Sequence, residues 1–461
     1  MRYHFVGIGG IGMSAIARIL RSRGESVTGS DLSVTPLIDD LRATGVKVAI
    51  GHNARNVRDA EVVVVSSAID RHNPESLAAA RRGIPILHRG EMLARLLAGR
   101  SGIAICGTHG KTTTTAMTHA VLRAGGIDAG LALGGIDVGL GSNAHDGMSP
   151  WFVTEADESD GSFALLEPSM AVVTNIENDH LSSDDELPGL VRAFAEFLAK
   201  LPEDGLAVIG RDNPLAASLA SHDLRPRIVT FGFDRDATVR AANIEFSGFG
   251  ARFDAIAGDR LLGRFRLRVP GAMNVQNALA AVAVGHALDV PVRAIDAALA
   301  TFQGVRRRFE VLLASERVTI VDDYAHHPTA VRATIAAARQ YHRGELIVAF
   351  QPHRYTRTAF LAREFAAALH DADRVYLAPI YAASEPAIPG VSERSIGEML
   401  GGEGGQVRYT SGTDDLERRL FEEAPAGAML LLLGAGDITD VAARLAERFT
   451  GPVERRAAAR A

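Results

Sequence analysis

The feature that most constrains this chain is a glycine-rich stretch, residues 106–115, that reads Cys-Gly-Thr-His-Gly-Lys-Thr-Thr-Thr-Thr. A hydrophobic run precedes it and a helical pattern over residues 115–124 follows, which predicts a strand, a phosphate-binding turn and a helix. The common P-loop has four residues between its first glycine and the Gly-Lys pair, whereas Gly107 and Gly110 are separated by two. The stretch predicts a shortened P-loop in an α/β domain, with an ordinary glycine-rich turn as the alternative.

Each residue type in this loop suits a nucleotide polyphosphate. Glycines let backbone N–H groups converge on phosphate oxygens at the positive end of a helix. Lys111 supplies a cation toward the β- and γ-phosphates, and the Thr112 hydroxyl can hold Mg²⁺. The predicted nucleotide-binding residues of this loop are Gly107, Thr108, His109, Gly110, Lys111, Thr112 and Thr113.

Acidic residues follow two later hydrophobic runs. The run 151–154 leads into Glu155, Asp157, Glu158 and Asp160, and the run 171–175 leads toward Asp179 and His180. Carboxylates at the carboxyl ends of strands, downstream of a phosphate loop, are how such folds place ligands on Mg²⁺. A solvated acidic turn and a surface histidine are the alternatives.

A second glycine motif lies near the N-terminus. Gly7-x-Gly9-x-x-Gly12 follows a strand pattern and opens a helix, and Asp31 stands at the end of the next strand. This is the pattern of a dinucleotide site, in which a pyrophosphate meets a helix N-terminus. The motif does not identify the nucleotide, so a nicotinamide-dependent oxidoreductase stays open at this point.

The last third of the chain carries histidines and arginines after predicted strands. Residues 322–328 read Asp-Asp-Tyr-Ala-His-His-Pro, and residues 351–357 include His353, Arg354 and Arg357. Arginine binds a carboxylate bidentately, so the second group suits a small carboxylate. Charges on a solvated helix face are the alternative, and Arg306–Arg308 is either a basic hinge or a source of charge for a phosphoryl group.

Composition and periodicity bound the fold. The 461 residues, with 47% hydrophobic and 23% charged residues, predict several globular cores. The strand–helix pattern restarts near residues 98 and 308, which predicts three α/β domains at residues 1–98, 99–308 and 309–461, with hairpins over 238–269. The net charge of -6 argues against nucleic acid or an acidic membrane as partner. Three features predict a cytoplasmic protein. The chain has a single cysteine, it has no apolar run long enough to span a membrane, and a strand pattern at residues 1–5 stands where a signal peptide would be expected.

Taken in order, these motifs resemble the Mur ligases, the ATP-dependent amide-forming enzymes that build the stem peptide of peptidoglycan. The resemblance extends from about residue 3 to about residue 447. It rests on Gly-Ile-Gly-Gly-x-Gly-Met-Ser at 7–14, Gly-Thr-His-Gly-Lys-Thr at 107–112, Glu-Ala-Asp-Glu-Ser-Asp at 155–160, Asp-Asp-Tyr-x-His-His-Pro at 322–328 and Gln-Pro-His-Arg at 351–354.

The resemblance implies both a fold and a reaction. The expected fold is a Rossmann-like N-terminal domain, a P-loop-type central ATPase domain and a Rossmann-like C-terminal domain. The expected reaction joins L-alanine to the lactyl carboxylate of UDP-N-acetylmuramate through an acyl phosphate, using ATP and Mg²⁺, with Mn²⁺ as a substitute. The N-terminal motif then holds the pyrophosphate of the UDP-sugar and not NAD.

The sequence leaves three alternatives to this reaction: a ligase that attaches a preformed murein peptide to the same sugar, a nicotinamide oxidoreductase, and a catalytically silent nucleotide-binding module. The partners expected are small molecules only, in a monomer or weak homodimer.

The resemblance also implies roles for individual residues. Arg308 and Asp323 are expected to close on the nucleotide, and Asn274 and Asn277 to approach the adenine. The expected catalytic residues are Lys111, Glu155, His180 and Arg308. The expected metal ligands are Thr112, Glu155 and His180. The expected UDP-sugar contacts are Gly7, Gly9, Gly10, Gly12, Asp31, Ser66 and Ser67. The expected amino-acid contacts are Tyr324, His326, His353, Arg354 and Arg357.

Three positions depart from the family's usual pattern. Met273 stands where a histidine usually precedes the first asparagine of the adenine segment, and Ser182 stands where an aspartate often follows the histidine. The third departure is the absence of lysine from residues 192–197. Several sister ligases have a carbamylated lysine in this region, and the branch that adds alanine is expected to lack it.

Overall fold

Hydrophobic runs in this chain assemble into three sheets. The computed structural model describes residues 1–158, 161–178, 186–402 and 405–458, with the backbone alone described from residue 451. By spatial clustering the chain divides into two compact units. The first comprises Met1–Ile244, Phe253–Leu267 and Val275–Gln303, and the second comprises Glu245–Arg252, Arg268–Asn274 and the residues from Gly304 onward.

The first sheet is parallel and has the strand order of a doubly wound fold. Its strands are β1 (Arg2–Val6), β2 (Ser26–Asp31), β3 (Lys47–Ile50), β4 (Val62–Val65) and β5 (Ile86–His88). Its helices are α1 (Ile11–Ser22), α2 (Pro36–Ala43), α3 (Pro74–Arg81) and α4 (Arg89–Leu97). The order β3-β2-β1-β4-β5 reverses between β1 and β4. Ligands bind at such a switch point, beyond the carboxyl ends of the strands.

The second sheet has ten strands in the order β15-β14-β13-β12-β11-β10-β6-β9-β7-β8. These strands are β6 (Ser101–Cys106), β7 (Gly130–Asp137), β8 (Ser142–His145), β9 (Trp151–Glu155), β10 (Met170–Val173), β11 (Leu206–Gly210), β12 (Arg227–Gly232), β13 (Val239–Ser247), β14 (Gly250–Ala257) and β15 (Arg260–Leu267). The helices are α5 (Lys111–Ala124), α6 (Leu187–Leu198), α7 (Pro214–Ser218), α8 (Ala272–Ala287) and α9 (Val292–Thr301). Strands β13, β14 and β15 are sequential neighbours, as the predicted hairpins require.

The third sheet has the order β16-β17-β21-β18-β19-β20, with β16 antiparallel and the other strands parallel. Its strands are β16 (Glu310–Ala314), β17 (Val318–Asp323), β18 (Leu346–Phe350), β19 (Arg374–Leu377), β20 (Val407–Tyr409) and β21 (Ala428–Leu433). Its helices are α10 (Pro328–Tyr341), α11 (Tyr355–Leu369), α12 (Arg394–Gly397), α13 (Thr413–Glu423) and α14 (Ile438–Ala458).

Burial follows the position of each strand in its sheet. Every residue of β18 and β21 is buried, and both lie inside the third sheet with helices packed on its faces. Edge strand β16 is at most half-buried, which is why its hydrophobic signal in the sequence is weak. None of the helices in the described ranges is long and apolar enough to span a bilayer.

Candidate active site

The shortened glycine loop joins β6 to α5 in a conformation that requires its glycines. Gly107 has φ +115°, and a Cβ there would lie 2.3 Å from Thr174 Oγ1. Gly110 has φ +85° and caps α5, and a Cβ there would lie 2.6 Å from Asn277 Oδ1. The helix begins at Lys111, four residues before the predicted start. Consequently, the residues that follow Gly110 form its first turn, where the N–H groups have no partner within the helix.

Two residues just beyond β10 support this loop through hydrogen bonds. Thr108 N and His109 N donate to the backbone O and the side-chain Oδ1 of Asn175, at 2.9 and 2.8 Å. The Thr174 hydroxyl donates to the carbonyl of His109 at 2.6 Å. Sequence reasoning missed Thr174 and Asn175 as supports. Their position at the end of a buried strand was the available signal.

Lys111 carries its charge beside two carboxylates. Its Nζ donates to Glu158 Oε2 at 2.8 Å and to Oε1 at 3.1 Å, and lies 4.0 Å from Asp157 Oδ1. Burial acts to lower the pKa of the Lys111 ammonium, but Glu158 and Asp157 outweigh burial and raise it above its ordinary value. The structure therefore places a protonated amine at the N-terminus of α5.

Thr112 and Glu155 bring two oxygen ligands together next to this amine. Thr112 Oγ1 donates to Glu155 Oε2 at 3.1 Å, and Gly134 N donates to Glu155 Oε1. A Cβ at Gly134 would lie 2.8 Å from the carboxylate, so the glycine leaves room for it. A hydroxyl and a carboxylate are hard oxygen donors that fit Mg²⁺. The predicted third ligand, His180, lies outside the described residues, as do Asp160 and Asp179.

The N-terminal glycine motif forms a second loop, between β1 and α1. Gly7 has φ +76°, and the N–H groups of Gly7 and Ile8 donate to Ser30 O at 2.9 and 3.0 Å. Gly9 N donates to Asp31 Oδ2 at 2.8 Å. Gly10 caps α1, and Gly12 is the second residue of the helix. The predicted aspartate is therefore hydrogen-bonded to the loop itself.

Ser66 and Ser67, the other predicted UDP-sugar contacts, follow β4 across the switch point. Ser66 is half-buried, and its backbone O accepts from Ile69 N at 3.0 Å. The exposed Ser67 hydroxyl lies 3.0 Å from His88 Nε2. Both serines are thus at the carboxyl edge of the sheet that carries the loop.

The two predicted adenine contacts are both buried, each in a different unit. In the first unit, Asn277 Oδ1 accepts from Thr114 Oγ1 at 3.1 Å. In the second, Asn274 Nδ2 donates to Pro270 O at 2.6 Å. Each side chain has a structural hydrogen bond, and adenine contact stays a prediction.

The second unit brings most of the predicted amino-acid contacts into a row of rings. The Tyr324 and His326 centroids are 4.9 Å apart, and those of His326 and His353 are 5.6 Å apart. The buried Arg357 places Nη1 3.4 Å from His353 Nδ1. Arg354 is exposed and adopts φ +72°, an uncommon conformation for a residue with a side chain.

Arg308 and Asp323 also lie beside this row, within the second unit. The Arg308 guanidinium is 5.0 Å from the Tyr324 ring centroid, and so is that of Arg307. The sequence placed Arg307 in the basic run 306–308 but singled out only Arg308. Asp323 accepts from Phe309 N at 2.6 Å and from Ala325 N at 2.7 Å. Burial raises the pKa of Asp323 despite the nearby arginine charge. Its carboxylate fixes the backbone around Arg308.

Models of one protein family match three successive parts of the chain. Residues 2–101 match the Mur ligase family catalytic domain, residues 105–285 the Mur ligase middle domain, and residues 307–436 the Mur ligase glutamate ligase domain. The chain belongs to the Mur ligase family. The motifs that indicated Mur ligases, and the three-domain α/β fold class they implied, are confirmed.

Individual Mur ligases match over nearly their whole length. The chain is 44% identical over 445 residues to UDP-N-acetylmuramate–L-alanine ligase of Myxococcus xanthus, across 96% of this chain and 94% of the relative. It is 45% identical over 454 residues to the protein of the same name from Acidithiobacillus ferrooxidans, across 97% of both. A solved UDP-N-acetylmuramate–alanine ligase from Thermotoga maritima matches with TM-score 0.85 at 31% identity, across 98% and 99% of the two chains.

A further Mur ligase structure shares the fold alone. The murein peptide ligase from Psychrobacter arcticus matches with TM-score 0.73 at 24% identity, across 98% of this chain and 99% of that one. Within the Mur ligase family, the roles of individual site residues in this chain stay predictions.

Proposed function

We propose that this Mur ligase joins L-alanine to the lactyl carboxylate of UDP-N-acetylmuramate and releases ADP and phosphate, the first stem-peptide step of peptidoglycan biosynthesis. The observation that carries the proposal is the 44–45% identity, over nearly the whole chain, to ligases named for that reaction. The geometry around Lys111 supports the use of ATP, since a short glycine loop, a half-buried cation and two oxygen ligands adjoin one another.

The reaction needs ATP because a carboxylate does not react with an amine directly. A lactyl carboxylate oxygen attacks the γ-phosphorus, and the bond from that phosphorus to the bridging oxygen of ADP breaks. The alanine amine then attacks the acyl carbon of the acyl phosphate, phosphate leaves, and the amine loses a proton. The site must offset the repulsion between carboxylate and phosphate and exclude water from the acyl phosphate.

The first unit supplies residues for the phosphoryl transfer. The N–H groups at the start of α5 bind phosphate oxygens, and Lys111 stabilises the charge on the transferring group. A triphosphate competes with Glu158 for the Lys111 ammonium. Thr112 and Glu155 are the described residues that would hold Mg²⁺, which when bound neutralises phosphate charge.

The second unit supplies residues for the amino acid. Arg354 and Arg357 are proposed to bind the carboxylate of L-alanine, since arginine matches its two oxygens in one plane. His353 and His326, in the adjoining row of rings, are proposed to face the amine. Arg308 is proposed to add charge for the nucleotide.

The decisive experiment measures ADP release by the purified protein. UDP-N-acetylmuramate and ATP are supplied with L-alanine, glycine, L-serine or a preformed tripeptide, and the product mass is recorded. We expect the fastest release with L-alanine and a product heavier by one alanyl residue. Faster release with the tripeptide identifies a murein peptide ligase and overturns the proposal.

A pair of conservative variants tests the amino-acid assignment. We expect Arg354→Lys to raise the KM for L-alanine about 10- to 150-fold, because lysine cannot reproduce the bidentate contact. The matched control is Arg363→Lys, an exposed arginine on α11, the helix that Arg354 caps. Oxygen scrambling in ATP without alanine should persist in both. A KM shift for ATP instead of alanine assigns Arg354 to the nucleotide.

A further inference from the structure

One aromatic side chain beside the row of rings has no role in the function proposed above. Tyr381 lies four residues beyond the end of β19, and its ring stacks on that of His353, with centroids 5.6 Å apart and planes at 12°. The backbone of Gly436 also lies close to the Tyr381 ring, since an added Cβ there would be 2.6 Å from Tyr381 Cγ. The ring therefore packs against an imidazole and adjoins a glycine that leaves space for it.

The backbone of Tyr381 contacts the same segment. Its N–H donates to Pro352 O at 2.8 Å, and its carbonyl accepts from Arg354 N at 2.8 Å, which makes an isolated parallel bridge between His353 and Tyr381. Arg354 has a positive φ of +72°, with ψ 139°. A residue with a side chain stays there only when its surroundings impose it, and this hydrogen bond is one such constraint.

The loop that carries Tyr381 is itself tied to α11. The Glu385 carboxylate accepts from Thr356 N at 3.1 Å and from Thr356 Oγ1 at 2.7 Å. Ala383 and Ser384, which lie between Tyr381 and Glu385 in the chain, have φ values of +46° and +71°. Two backbone conformations that are costly for residues with side chains are thus maintained in one short turn, which sets where Tyr381 lies.

We propose that Tyr381 is a positioning residue for the amino-acid substrate, and that its ring fixes the orientation of the His353 imidazole. The inference rests on the proposed function, which assigns His353 to L-alanine. Rotation of His353 would also remove the contact of its Nδ1 with Arg357 Nη1. The part of the chain that the structure describes gives the Tyr381 hydroxyl no hydrogen bond, so the ring and not the hydroxyl carries the role.

The test is a double-mutant cycle with Tyr381→Ala and His353→Ala in the full-length protein. We expect Tyr381→Ala to raise the KM for L-alanine about 2- to 12-fold, the range that one aromatic pair supports. The KM values for ATP and UDP-N-acetylmuramate should not change. Tyr381→Phe should restore the wild-type KM for alanine, and adding Tyr381→Ala to His353→Ala should change it little.

The control is Phe360→Ala, which removes an aromatic ring that is 54% exposed on α11, and thermal unfolding of each variant checks the fold. Additive effects of Tyr381→Ala and His353→Ala, or no rescue by Tyr381→Phe, overturn the inference. Failure of the wild-type protein to release ADP with L-alanine overturns the proposed function instead. In that case the cycle is run with whichever amino acceptor the panel identifies.

A second measurement is independent of turnover. In protein labelled with ¹³C-histidine, Tyr381→Ala should move the His353 ring resonance downfield, because the ring current of the tyrosine is lost. Assignment uses His353→Gln. An unchanged resonance means that the rings are not stacked in solution, and the inference then fails whatever the enzyme's substrate.

Discussion

The first unit contains two glycine loops that begin alike and differ in what they present. Both follow an interior strand of a sheet, β1 or β6, and open a helix, α1 or α5. In the N-terminal loop, an acidic side chain, Asp31, accepts the N–H of Gly9. In the central loop, neutral groups of Asn175 support the backbone, and Lys111 stands at the start of the helix.

This difference between the loops distinguishes a site that binds phosphate from a site that can also transfer a phosphoryl group. The N-terminal loop offers N–H groups and a helix dipole, which suffice to hold a pyrophosphate. A transferring phosphoryl group also needs a cation and metal ligands that meet its changing charge. Only in the central loop do a lysine, a hydroxyl and a carboxylate adjoin the glycines, as Lys111, Thr112 and Glu155 do.

The largest effect expected from this comparison is on Lys111. We expect Lys111→Ala to lower kcat by at least about 10³-fold, because a charge on the transferring group is lost. UDP-N-acetylmuramate should bind with unchanged affinity, since it is assigned to the N-terminal loop. Steady-state kinetics and calorimetry measure the two. Lys47→Ala, an exposed lysine on β3, is the control, and an equal loss of UDP-sugar affinity contradicts the division of roles.

The next largest effect is expected from a Gly→Ala substitution in either loop. The added methyl group should raise the KM for a different nucleotide in each case. Gly107→Ala places a Cβ 2.3 Å from Thr174 Oγ1 and 2.7 Å from Asn175 O at φ +115°. We therefore expect the KM for ATP to rise about 100-fold. Gly9→Ala meets Asp31 Oδ2 at 2.9 Å and should raise the KM for the UDP-sugar alone.

The control for these two variants is Gly189→Ala in α6, where an added Cβ meets nothing within 4 Å. Both kinetic constants should stay at wild-type values there. If Gly9→Ala and Gly107→Ala raise the same KM, the two loops do not serve different nucleotides.

A smaller effect concerns the buried carboxylate of Glu75, which accepts a hydrogen bond from a residue that supports the N-terminal loop. Glu75 is fully buried beside Ser30, which supports that loop. Burial alone would raise the pKa of Glu75, but hydrogen bonds from His4, Ser30, Asn53 and Asn56 lower it to about 2 from 4.5. A lowered pKa gives stability that is present above pH 4.5 and lost as the pH falls toward 2, here roughly 3 kcal/mol.

Comparison of the wild type with Glu75→Gln isolates this contribution. The difference in their free energies of unfolding in urea should shrink as the pH falls from about 4.5 toward 2. A difference that is constant across that range would show that Glu75 has an ordinary pKa in the folded protein.

The last prediction is that the nicotinamide cofactor has no detectable effect on this protein. NAD(H) should neither bind tightly nor be oxidised or reduced, although Gly7, Gly9, Gly12 and Asp31 fit a dinucleotide pattern. Isothermal titration calorimetry with and without UDP-N-acetylmuramate tests this. Competition between NAD and the UDP-sugar would assign the N-terminal loop to a dinucleotide.

The two loops were predictable because their signals are local. Strand, glycines and helix follow one another within about fifteen residues, and Lys111 has a fixed place in that order. The start of α5 was predicted four residues late, since threonines have low helix propensity and the capping by Gly110 depends on its φ of +85°. The sequence did not predict three strands of the third sheet, edge strand β16 and the short strands β19 and β20, because none of them has a long continuous apolar run.

By itself the sequence determined the order of the sheets, the two phosphate loops and the residue types that ATP and a small carboxylate require, because spacing along the chain fixes these. The partners of those residues were decided only by the tertiary structure. Gly134 makes room for Glu155, and Tyr381 stacks on His353, across chain separations of 21 and 28 residues. Such contacts form when parallel strands bring distant carboxyl ends to one edge, and no local pattern encodes them.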